Sequence, residues 1–136
     1  VGYFQVESGI AINEYLHSPK GAMFDSATVA DGSVDADSNG DRILQKGTVL
    51  AAITSGTDSG KVGPYDTGAS DGRQTAGNII GISERFLNLR DGDFETAYLY
   101  AGVVTEDRVW SDGTQGSLSD AVKTAMQSNT MHILFR

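Results

Sequence analysis

The stretch KGTVLAAITSGTDSGKVGPYDTG, residues 46–68, decides the fold. If its middle, residues 56–61, grips a phosphate, the strand before it must feed a helix and the chain is α/β. If the middle is a plain turn, two strands meet in a hairpin and the chain is mainly β. A phosphate loop needs enough backbone between its glycines to wrap the anion, then Lys, then a Ser or Thr hydroxyl for magnesium. Here the spacing from Gly56 to Gly60 is one residue short, and Val62 stands where the hydroxyl belongs. Gly63 and Pro64 follow, and they do not open a helix whose N-terminus could face the anion. The expectation is a hairpin, with Lys61 a solvated turn residue.

The flanks agree. Upstream, Val49, Ala51 and Ile53 fall on one face of a strand and Leu50 and Ala52 on the other, while Gly47 marks a bulge or tight bend. Downstream, TAGNIIGI (residues 75–82) is a further apolar run. FETAYLYAGVV (residues 94–104) follows Asp91-Gly92, a strong turn signal. Tyr98 and Tyr100 oppose Leu99, which predicts a strand covered on both faces. MHILFR (residues 131–136) closes as a strand. One helix fits residues 116–129, GSLSDAVKTAMQSN. Ser117 caps its first turn with Asp120 three residues on, Leu118, Val122, Ala125 and Met126 share a face, and Asn129 ends it in the left-handed conformation.

The first part of the chain reads differently. Phe4, Val6, Ile10 and Ile12 share one parity and Tyr3, Gln5, Glu7 and Asn13 the other, the period of a half-buried strand. Residues 17–42, HSPKGAMFDSATVADGSVDADSNGDR, are poor in aliphatics and rich in Asp, Ser and Gly. They predict a loop or linker with at most one short strand. A structureless loop this long is uncommon inside a compact domain. Residues 1–41 are therefore expected as an N-terminal arm and linker, partly detached, and residues 42–136 as the β-rich domain.

Composition bounds the function. The 136 residues suit one domain with an arm, and 17 glycines against 2 prolines favour the many turns of an all-β chain. A net charge of −8 and the lack of any Lys/Arg cluster argue against nucleic acid as a partner. There is no cysteine, so no disulfide or thiolate site, which suits synthesis inside a cell. No apolar run reaches the length of a membrane span, and the first residues lack the pattern of a signal peptide.

Two constellations invite chemistry. Asp35, Asp37, Asn39 and Gly40 follow the first half of a calcium loop, with Asp31 or Asp41 as a substitute ligand. Its second half fails, because Lys46 stands where the bidentate Glu belongs and Arg42 where an apolar residue is usual. The competing reading is an Asx-rich turn leading into the strand at Ile43. A β-rich binding module with a weak calcium site at residues 35–41 is thus the alternative function. For catalysis, His17 and His132 are the imidazoles, and Glu84 with Asp91 or Asp93 are carboxylate pairs that 18 acidic residues produce by chance. No nucleophile–base pairing is evident, so no enzyme and no cofactor is expected. Trp110, alone of its kind, reads as a core or interface anchor.

Residues 43–136 resemble the head decoration proteins of tailed bacteriophages, the trimeric capsid-stabilising proteins of the lambda type. Gly47, Thr48, Val49, Leu50, Gly60, Lys61, Pro64, Tyr65, Asp71, Gly72, Ile80, Gly81 and Ile82 match the family pattern in order. AYLYAGVV looks like the strand that follows, and the terminal helix–strand piece is similar in position. The chain departs at SERFLNLRDGD (residues 83–93), which is longer than the family's acidic turn and carries Arg85 and Arg90. The resemblance implies a β-tulip body with little helix, assembled as a homotrimer. It implies binding to the major capsid protein at local threefold positions on the outer surface of the expanded head, after synthesis in the host cytoplasm. The arm, through Phe4, Val6, Ile10 and Ile12, is the expected grip on capsid protein or on neighbouring trimers, and removing residues 1–16 is expected to abolish it.

Overall fold

The computed structural model describes residues 14–128 and 130–136. Its strands are β1 (Leu16–Val29), β2 (Ile43–Leu44), β3 (Val49–Ala52), β4 (Val62–Pro64), β5 (Ile79–Ser83), β6 (Leu87–Asn88), β7 (Phe94–Val104), β8 (Trp110–Ser111), β9 (Thr114–Gln115) and β10 (His132–Phe135). One helix, α1, covers Asp120–Ala125. The fold is mainly β with this one short helix.

The deciding stretch forms the hairpin. β3 and β4 run antiparallel, pairing Leu50 with Pro64, Ala51 with Gly63 and Ala52 with Val62. The Ile53 amide donates to the Lys61 carbonyl at 2.9 Å and the Gly60 amide to the Ile53 carbonyl at 3.0 Å. Gly60 makes this turn with φ of 95°, a conformation that a side chain would oppose.

The main sheet follows the order β1-β4-β3-β5-β7-β10, and β1 also pairs with β7, so its first members close into a ring. β7 is the spine. β1 runs antiparallel along one of its edges, while β5 and β10 share the other, β5 at Tyr98 and Leu99 and β10 at residues 101–104. The ring strands all feed one apolar cluster: Val29 from β1, Val62 from β4, Leu50 from β3, with half-buried Ile80 from β5 and Tyr98 from β7. The opposite faces feed a second cluster, where Val49, Ile82, Leu99 and Val104 meet Val122 and Met126 of the helical segment and Ile133 of β10. The alternation expected in β3 is therefore real. In β7 Tyr98 opposes Leu99 as expected, but Tyr100 packs on the same cluster as Leu99, and both faces of the strand are covered. Each fully buried Leu or Ile contributes about 2 kcal/mol of transfer free energy.

Close packing also dictates glycine at the ring's seam. A β-carbon on Gly81 would collide with the Leu99 carbonyl oxygen and lie 2.7 Å from Cδ2 of Tyr98. The β3–β5 pairing slips between Leu50 and Ala51, whose partners Gly81 and Ile79 skip Ile80, which places the bulge in β5 and leaves Gly47 as the tight bend before β3.

Three expectations are corrected. Residues 17–42 are not a loop throughout: β1 takes the first half and pairs with β7 from Leu16↔Val104 to Val29↔Phe94. Its side chains are mostly exposed, so backbone pairing rather than an apolar face holds it, and composition does not reveal it. Tyr15 and Val29 are fully buried in the two clusters, so residues 15–34 belong to the same body as the rest, and no boundary falls after residue 41. The helix cap is Ser119, whose hydroxyl accepts from the Val122 amide, in place of Ser117. Asn129, expected to end the helix, lies outside the described residues.

Candidate interaction surfaces

The near-phosphate loop is closed to that chemistry. Lys61 Nζ lies 3.1 Å from Asp58 Oδ1 and 2.6 Å from Asp93 Oδ2, and β4 follows it where a phosphate loop would have a helix. The lysine is thus a clamp between the hairpin loop and the start of β7, more than the solvated turn residue expected. The two carboxylate hydrogen bonds, that to Asp93 first, hold its ammonium above the ordinary range, and Lys61 in turn holds Asp93 below the carboxylate range.

The calcium-like loop uses its oxygens internally. Asp37 Oδ1 accepts from the Asn39 amide at 2.8 Å and the Asp41 amide at 3.0 Å, and Asp37 and Asp41 close the turn through their backbones at 2.8 Å. Asp41 Oδ1 takes the Arg90 guanidinium at 2.9 Å and the Asn88 amide at 3.1 Å, contacts that keep its carboxyl below the usual range, Asn88 first. Arg90 also donates to the Asn39 carbonyl. Asp37, Asn39 and Asp41 therefore build an Asx turn tied to Arg90, while Asp35 stands outside it at the edge of a neighbouring cleft. Among the described residues no three His, Asp or Glu side chains gather around a cation position.

The catalytic candidates do not assemble either. His17 and His132 sit exposed on β1 and β10. Glu84 accepts from the Tyr15 hydroxyl at 3.2 Å, and Asp93 is held by Lys61 and by the Asp31 amide at 2.9 Å. The arm residues Phe4, Val6, Ile10 and Ile12 lie outside the described residues.

The described surface offers two clefts suited to contact. One, of about 400 Å³, runs beside Trp110, Tyr65 and the carboxylates of Asp35, Asp66 and Asp112. Trp110 is half-buried there and its amide donates to the Gly47 carbonyl, so it anchors the β8–β9 hairpin against the sheet. The other, of about 490 Å³, lies over the end of β7. It exists because β1 bulges: residues 19–22 stand opposite the single Gly102, lifting Lys20 and Gly21 away from β7. Its floor is Ala101 and Val103 with Leu134 of β10, and Leu134 is 50% exposed.

Sequence reading missed these surface hydrophobics. Met23, Phe24, Phe94 and Leu134 are all substantially exposed. A signal was present in two cases. Met23 and Phe24 are large apolar neighbours inside a polar stretch, and the alternation of MHILFR puts Leu134 opposite Ile133. No protein-family model matches the chain, and a search of curated proteins finds no match.

Proposed function

We propose that the chain is a trimeric decoration protein that binds the outer surface of an expanded phage head at local threefold positions and stabilises it against the pressure of packaged DNA. The observation that carries this reading is the ordered run of residues from Gly47 to Ile82 shared with the lambda-type family. In this fold the run covers β3, β4, β5 and the loops between them, and its residues have work that ties them to a shared backbone path. Tyr65 is buried in the cluster under the helix, the Asp71 carbonyl accepts from the Thr54 and Ser55 amides, and Gly81 sits where β5 crosses β7. The role is adhesive, without turnover.

Multivalency supports the mode of binding. A trimer at a threefold position meets several capsid subunits at once, so modest contacts combine into high avidity. The alternating segment at residues 4–12 has the pattern of a strand that adds to an exposed sheet edge, gaining backbone hydrogen bonds and one apolar face.

The test is truncation, and the fold moves its cut. Tyr15 is fully buried and Leu16 opens β1, so removing residues 1–16 would damage the body. Removing residues 1–13 spares both. The truncated chain is expected to melt like the full chain and keep its mass in solution, yet fail to co-sediment with expanded heads. Undiminished co-sedimentation would remove the arm from the account.

A further inference from the structure

We propose that the groove over β7 and β10 is the socket of a head-to-tail contact, and that its occupant is the Phe94 corner of a second copy of this chain. The inference rests on the homotrimer of the proposed function and names the surfaces that build it. The groove is apolar at its floor, with Ala101, Val103 and Leu134, and its polar lining is Lys20, Gln127 and His132. No Asp or Glu lines it, in a chain that carries 18 of them. Its charge complements an apolar group flanked by carboxylates.

The Phe94 corner is such a group. Phe94 is 48% exposed where β7 begins, and Asp91, Asp93 and Glu95 surround it in sequence. Asp93 is drawn toward Lys61, which leaves Asp91 and Glu95, both exposed, to meet Lys20 and His132 of another copy. A volume of about 490 Å³ is enough for an aromatic side chain and the backbone that carries it. Phe24 is a poorer occupant because it adjoins the groove on β1, next to Met23, which pairs with Ala101.

Position sets the symmetry. Corner and socket lie at opposite ends of β7, about 23 Å apart from Phe94 to Ala101 at the usual rise of a strand. A corner that fits a socket elsewhere on the same molecule makes a heterologous contact, which closes into a ring when the rotation allows. The local charge match also offsets the repulsion between copies that each carry −8.

Two substitutions separate the halves of the contact. Leu134→Asp puts a carboxylate in the socket, and Phe94→Ser removes the corner's anchor. Both side chains are about half exposed, so circular-dichroism melting is expected to stay close to that of the parent. Sedimentation equilibrium should give a threefold mass for the parent and weaken self-association in each variant by roughly thirtyfold or more, the effect of losing a contact anchor. An equimolar mixture of the two variants should form a heterodimer, because each supplies the half the other lacks. Lys20→Glu should weaken the parent trimer, and Lys20→Glu with Glu95→Lys should restore it. Variants that keep the threefold mass, or a mixture that stays monomeric, would overturn the socket. A parent chain that is monomeric at every concentration would overturn the homotrimer and the socket together, whereas a trimeric parent with unaffected variants removes the socket alone.

Discussion

At Gly81 a β-carbon would meet the Leu99 carbonyl oxygen and the Tyr98 ring, and both belong to the strand that closes the ring. A backbone oxygen on a paired strand has little freedom to retreat. Gly81→Ala is therefore expected to cost about 3 kcal/mol, at the upper end of overpacking effects, readable as a lower midpoint in urea. Tyr15 makes a second residue-scale prediction. Burial first, then the charge and hydrogen bond of Glu84, push its phenol well above the ordinary value of 10. The folded chain keeps a proton that the unfolded chain releases once pH passes that ordinary value. Stability from this site is thus intact below about pH 10 and falls as pH rises beyond it. Burial raises Tyr98 in the same direction. A Tyr15→Phe chain should lose less of its melting temperature between neutral and strongly alkaline pH than the parent. Equal losses in both would contradict the assignment.

Among the elements, the loop at residues 37–41 and the strand β1 teach opposite lessons about what the sequence reveals. The Asx turn was legible as one of two readings, because Asp37, Asn39 and Gly40 favour it locally. What favours the turn over calcium is the Arg90 contact with Asp41, across 49 positions of sequence, which no local pattern announces. Calcium is expected to leave the melting temperature unchanged. Asp37→Ala should cost about 1 kcal/mol with or without it, through the amides of Asn39 and Asp41. A melting shift that calcium causes and Asp37→Ala abolishes would contradict this. β3, β5, β7 and β10 were legible because burial writes an apolar pattern into them. β1 was not, because its bonds are backbone bonds and its side chains are mostly wet. The helix was found from its buried face, Val122 and Met126, but its cap was misplaced by two residues, since Ser117 and Ser119 carry the same hydroxyl. The groove escaped entirely. It depends on a bulge between Ser18 and Met23 whose length only the pairing with β7 defines.

For the whole molecule, the closed ring gives a rigid body with apolar packing on both sides of its sheet, a fit platform for adhesion. Three partnered carboxylates, Asp41 with Asn88 and Arg90, Asp93 with Lys61 and Asp112 with Thr67, sit below the ordinary value of 3.8. What they add to stability is present above that pH and is lost as pH falls below it. The central claim is that this body decorates capsids, and one measurement tests it most directly. Purified chain is mixed with expanded, undecorated heads, and the particles are reconstructed at side-chain resolution. Three-lobed knobs are expected at the local threefold positions, each lobe fitted by residues 14–136, with added density running from Glu14 onto the capsid shell. Heads that emerge without added density at any threefold position, at saturating chain, would contradict it.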